Sequence, residues 1–113
     1  MSANVKVVNL VGAINISSVE SFAKEIRDAL GEKRMVLLSL SQATDIDLAG
    51  VQLLYAARRF AVDQDKPLYI SGGIPETIAR RLHRGGFAPT VIMDGRELDA
   101  QLVGLPVREE TDA

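Results

Sequence analysis

Asp45 and Asp47 stand two residues apart in Thr44-Asp45-Ile46-Asp47-Leu48-Ala49-Gly50, the segment of the chain densest in groups able to do chemistry. Paired carboxylates can hold a metal ion or divide acid and base work between them. Either task needs further ligands or a partner base, and no second acidic cluster lies nearby in the sequence. A capped loop accounts for the pair more simply. Asp47 precedes an apolar-periodic stretch and suits a helix N-cap, where its carboxylate accepts from a first-turn amide. The amides of Leu48, Ala49 and Gly50 then point outward with the positive end of the helix dipole. Such a turn could hold an anion, and it could equally be a plain helix start. The small residues Ala49 and Gly50 would let another surface come close to the backbone.

The other reactive groups are sparse. His83, the only histidine, sits among Arg80, Arg81 and Arg84 near an expected helix C-terminus. Cations there complement the helix dipole, so a solvated basic face explains them; the sharper reading is a docking patch for an acidic partner or phosphate. Gly72-Gly73 lacks the Lys-Ser/Thr that would complete a phosphate loop. With no cysteine there is no thiol nucleophile, thiolate metal site or disulfide. No catalytic residues, metal ligands or cofactor are expected. The chemistry points to binding.

Composition agrees. The chain has 113 residues, 47% of them hydrophobic and 25% charged, as in one soluble globular domain. A net charge of −2 and 4% aromatic residues give no electrostatic or stacking basis for nucleic acid. No apolar run approaches the roughly 20 residues that cross a bilayer, and the start of the chain does not read as a signal peptide. A cytoplasmic protein without membrane insertion is expected.

The elements that must position the segment alternate. Val5–Val11 reads as a first strand ended by Gly12. Helix one follows a Ser17/Glu20 capping box, buries Val19, Phe22, Ile26 and Leu30, and stops at Gly31. Met35–Leu40 is an apolar central strand. The loop Ser41–Ile46 leads to Asp47 and helix two, Leu48 to about Asp63, with Leu54, Ala57 and Ala61 inward and Arg58 and Arg59 toward solvent. Pro67–Ser71 is a third strand. Helix three runs from Pro75 to about Arg84 and ends at Gly85-Gly86. Thr90–Met93 is a fourth strand, and Arg96–Val103 a last helix with Leu98 and Leu102 inward. The expectation is a single α/β domain over 1–113: a mostly parallel four-stranded sheet, about four helices, a core at 5–103, and a polar tail at 104–113. In such a sheet the working loops lie beyond the strands' carboxyl ends, here Gly12–Ser18, Ser41–Asp47 and Ser71–Ile74.

The run Leu37-Leu38-Ser39-Leu40-Ser41, four intervening residues, then Ile46-Asp47-Leu48-Ala49-Gly50-Val51 resembles the strand–loop–helix signature of the STAS family. Val8 to Ile14 is similar to the family's strand and turn before its first helix. Lys66-Pro67-Leu68-Tyr69-Ile70 resembles its third strand, and Leu82 with Gly86-Phe87 its helix end. Together the likeness spans roughly residues 5 to 103. It implies an anti-sigma-factor-antagonist-like interaction module, not an enzyme, binding through Thr44, Asp45, Ile46, Asp47, Leu48, Ala49 and Gly50. The implied partner is an anti-sigma factor, a histidine-kinase-like switch protein or a chemosensory component. Alternatives are an accessory subunit of a lipid ABC transporter, or a nucleotide- or anion-sensing module using the amides of Leu48, Ala49 and Gly50. A receiver domain has this length too, but needs acidic residues where this chain has Gly12-Ala13-Ile14-Asn15.

Two departures from the family pattern stand out. The residue after the aspartate is usually the phospho-acceptor serine or threonine, and here it is Leu48, which has no hydroxyl to modify. Thr44 and Ser41 lie upstream and do not align with the acceptor. Members also often begin with an additional strand, for which Met1–Asn4 leaves little room. Leu48 is then either an exposed apolar anchor or a packed helix residue.

Overall fold

The computed structural model describes residues 4–102. Met1–Ala3, the expected helix end at Val103 and the expected tail 104–113 lie outside them. The expected first strand, Val5–Val11, ends earlier, as β1, Val5–Asn9, and the expected loop Gly12–Ser18 opens with a second strand, β2, Gly12–Ile14. Gly12 adopts φ +88°, a left-handed conformation that residues with a Cβ resist, and the pairing register shifts beside it. The central strand is β3, Met35–Ser39. The segment expected as a loop, Ser41–Ile46, contains a further strand, β4, Ala43–Ile46. Its polar Thr44 and Asp45 hide it from an apolar pattern. The last strand is β5, Leu68–Ser71.

All the strand pairings are parallel: β1-β3-β5 form one sheet and β2-β4 a second, two-stranded one. Residues 5–14 and 35–46 thus run side by side and bend together. Across the bend the Leu10 amide donates to the Ser39 carbonyl and the Gly12 amide to that of Gln42, both at 3.0 Å.

The helices are α1, Val19–Glu32; α2, Leu48–Asp63; α3, Glu76–Arg84; and α4, Gly95–Gln101. Val8, Val36, Leu38, Leu68 and Ile70 are buried, and with Ile26 and Leu30 of α1 and Leu54, Ala57 and Ala61 of α2 they belong to one apolar core. Alternation along each strand and 3.6-residue spacing along each helix produce that match. α3 packs against β4, and α4 against β5.

Four local expectations need correction. Ser17 and Glu20 form no capping box: Ser18 is the N-cap, and its hydroxyl donates to the Ala13 carbonyl at 2.7 Å and accepts from the Asn15 amide at 3.0 Å. The hydroxyl closes the Gly12–Ser18 loop rather than the helix. Gly31 does not stop α1, which runs on to Glu32; Lys33 turns to an extended conformation and leads into β3. Thr90–Met93 forms no strand. It sends only its Met93 carbonyl to the Ile74 amide, beside a single antiparallel bridge between Gly73 and Asp94. The place where a further strand would pair is held by α4, whose Asp99 accepts from the Ile70 amide of β5 at 2.9 Å.

Arg58 is the fourth correction. It is 4% exposed rather than solvated, pairs with Asp99, and lies 5.6 Å from the Tyr69 ring centroid. One guanidinium thereby joins α2, β5 and α4. Removing one partner of a buried pair is strongly destabilising, so Asp99→Ala should cost about 3–5 kcal/mol. Urea denaturation of the variant measures it.

Candidate partner-binding site

The bend that splits the strands carries β2 and β4 to the start of α2. Asp47 caps that helix as expected: its carboxylate accepts from the Gly50 amide at 3.0 Å. Its own amide donates to the Ile14 carbonyl at 3.2 Å, tying the cap to the end of β2. Gly50 is buried against the same strand. A Cβ there would lie 2.3 Å from the Ile14 carbonyl oxygen and 2.7 Å from Cγ1 of Ile46. Only a residue without a side chain lets the helix start sit this close to the strand ends.

Asp45 is held differently. One carboxylate oxygen accepts from the Ile46 amide at 2.8 Å. The two oxygens also face Arg81 of α3, with Nε at 2.7 Å and Nη2 at 3.0 Å. This two-point pair is half exposed and is worth less than about 1 kcal/mol to the fold, but it fixes the orientation of α3 beside the loop. The basic face expected at Arg80, Arg81, His83 and Arg84 is thus divided. Arg81 serves the candidate site, Arg80 pairs with Glu76 within α3, and a His83 ring nitrogen lies 3.0 Å from the Ala88 carbonyl.

The seven expected residues fall into two groups. Ile46 and Gly50 are buried and support the site from below, while Thr44, Asp47 and Leu48 are exposed, with Asp45 and Ala49 between. Leu48 does not pack inward: it is 61% exposed. On one flank it borders a hollow it shares with Val51, Arg81, Leu82, Gly85 and Phe87. Phe87 is braced there by an edge-on contact with Tyr55, whose phenol is pushed up in pKa by burial. On the other flank a shallow apolar groove between α1 and α2 runs past Ile16, Val19, Ala23, Ala49, Leu53 and Ala56.

Ile16, 75% exposed, is a surface residue that the sequence reading passed over. The available signal was a lone branched apolar residue between Asn15 and Ser17 in a turn. Arg81 was seen, but its carboxylate partner was not.

The Gly50 amide is occupied by the Asp47 carboxylate, which also places negative charge where a bound anion would sit. That arrangement opposes capture of phosphate at this amide. Among the described residues no three His, Asp or Glu side chains gather into a possible metal-ion site, and no helix is long and apolar enough to cross a membrane.

Parallel strands with four helices and a rigid helix start at the bend define an α/β domain of the kind built around a strand–loop–helix site. The family model of the STAS domain matches residues 2–100, and the chain belongs to that family. A solved structure of the anti-sigma factor antagonist SpoIIAA in its unphosphorylated form is similar at a TM-score of 0.62, with 19% identity and 88% of each chain covered. A sulfate transporter family protein from Wolinella succinogenes is similar at 0.60, again with 19% identity, over 76% of this chain and 70% of the other. At that identity the likeness is one of fold. No curated protein sequence matches.

Two substitutions probe the rigidity of the site. Asp47→Ala should cost about 0.5–2 kcal/mol through loss of the cap. Gly50→Ala should cost about 1–3 kcal/mol or more, because the Ile14 carbonyl has no room to yield. Thermal denaturation ranks the two, and an unaltered melting temperature for Gly50→Ala would contradict the close approach.

Proposed function

We propose that this chain is a protein-binding signalling module of the cytoplasm that engages a regulatory partner through the Thr44–Gly50 segment, with Leu48 as its apolar anchor. The observation carrying this reading is the exposure of Leu48 on a helix start fixed by Asp47 and Gly50. An exposed leucine on a rigid, small-residue turn loses little entropy on docking and gains the burial of its side chain. Ile16 and the α1–α2 groove extend the apolar contact.

Family resemblance places a phospho-acceptor at position 48, where a phosphate would add about −1.5 to −2 charges and oppose docking by repulsion and desolvation. Leucine cannot receive it. The site is therefore held in the binding-competent chemical state, and control passes to the partner's availability. Partners consistent with this are an anti-sigma factor, a histidine-kinase-like switch protein or a chemosensory component. A second reading, from the family resemblance, is an accessory subunit of a lipid ABC transporter complex. Anion or nucleotide sensing is the weakest reading, given the Asp47 carboxylate on the helix start.

A photo-cross-linker in place of Leu48, activated in native extract, identifies the partner. A soluble ATPase-fold protein supports the first reading and a membrane transporter the second. Against the captured partner, Leu48→Glu should weaken affinity about tenfold or more, as loss of a central apolar anchor does, with the melting temperature unchanged. Equal affinity for both forms would remove Leu48 from the interface.

A further inference from the structure

The outer side of the β1-β3-β5 sheet carries an apolar row next to a polar one. Val7, Leu37 and Tyr69 stand in register across the three strands, and two residues further along stand Asn9, Ser39 and Ser71. Alternation turns both rows away from the core face that carries Val8, Val36 and Ile70. Val7 is 48% exposed and Tyr69 38%, so the apolar row is open. The face is small. Three strands about 4.8 Å apart and about 13 Å long give it an area on the order of 200 Å². A stable protein interface takes about 800 Å² from each partner, so this face alone holds neither a second copy nor another protein.

A small molecule is the occupant of matching size. Leu37, Tyr69 and Ser71 share a hollow of about 360 Å³ with Arg96 and Asp99 of α4, within the range of small-ligand pockets. Its polar end is rigidly placed. A Cβ at Gly95 would lie 2.5 Å from the Ser71 carbonyl carbon, so α4 begins directly on the Ser71-Gly72 backbone. That contact seats the next residue, Arg96, at the rim beside Ser71. Charge then narrows the choice. Among the described residues Arg96 enters no ion pair. Asp99 is matched by Arg58 and the Ile70 amide, so the hollow keeps one uncompensated positive charge. Ser39 and Ser41 add a donor. Their hydroxyl oxygens lie 3.0 Å apart, and one proton suffices for the bond between them. The other proton has no acceptor among the described residues, and Ser39 stands beside Ser71 in the polar row.

We propose that this face binds a small amphiphilic anion, a carboxylate on a short alkyl chain. The head group lies against Arg96 and the serine hydroxyls, and the chain runs along Leu37 and Val7. Arg96 supplies the planar pair of donors that a carboxylate accepts. The apolar row removes one side of the chain from water. This site shares no residue with the Thr44–Gly50 segment and stands independently of the protein-binding reading.

Titration of the full-length, isotopically labelled protein with sodium octanoate, followed by nuclear magnetic resonance, tests the assignment. The Leu37 methyl, Tyr69 ring and Ser71 amide resonances should shift and saturate, while those of Ile16 and Leu48 stay in place. Affinity should rise about twofold to threefold per added methylene from butanoate to octanoate. Arg96→Gln should weaken octanoate binding about tenfold or more, through loss of a charge-assisted contact, with an unchanged melting temperature. No saturable shift in the unaltered protein would overturn the proposal. So would acetate binding as tightly as octanoate, equal octanoate affinity for Arg96→Gln, or shifts confined to Ile16 and the α1–α2 groove.

Discussion

The approach of Gly50 to the Ile14 carbonyl is the contact from which the arrangement of the binding end follows. A helix cannot come this near a strand end if its first turn carries a side chain on the facing side. Because Gly50 carries none, the start of α2 rests directly on β2, and Ile46 of β4 fills the remaining space. The Asp47 cap then has its geometry set twice, once by the Gly50 amide and once by the Ile14 carbonyl. Leu48 inherits that rigidity, and its exposure follows from the backbone beneath it.

The bend at Gly12 is the complementary constraint. Straight strands from Val5 and Met35 would carry the chain past the helix start. The left-handed Gly12 redirects the first segment and a turn closed by the Ala43 amide on the Leu40 carbonyl redirects the second, so that β2 and β4 pair beside the start of α2. Two glycines thus serve one site by different means, one through backbone conformation and the other through lack of volume. Arg81 adds a third fixture, bringing α3 to the loop through Asp45 without burying charge.

Much of this was legible in the sequence because it is encoded locally. Asp47 before Leu48 reads as a cap, and the helices were placed by 3.6-residue spacing or by proline and glycine at their ends. The α/β alternation led to the right fold class. What was missed depends on partners far along the chain. Arg58 reads as a surface residue by charge, but its carboxylate lies 41 residues away on a helix that the pattern does not connect to it. β4 is a strand because β2 pairs with it, not because Ala-Thr-Asp-Ile favours one. Thr90–Met93 has the composition of a strand but finds α4 along the edge it would need. Of the site, the segment could be read but its surroundings could not: Ile16, Arg81 and Phe87 join it only through the fold.

The Arg58–Asp99 pair bears on how the molecule opens as well as on how it is held together. A seven-residue helix such as α4 would by itself fray readily. Here its detachment would leave a guanidinium in the interior without its carboxylate and the Ile70 amide without its acceptor. Detachment of α4 is thereby coupled to the interior, and exchange at its amides should be slower than its length alone would give.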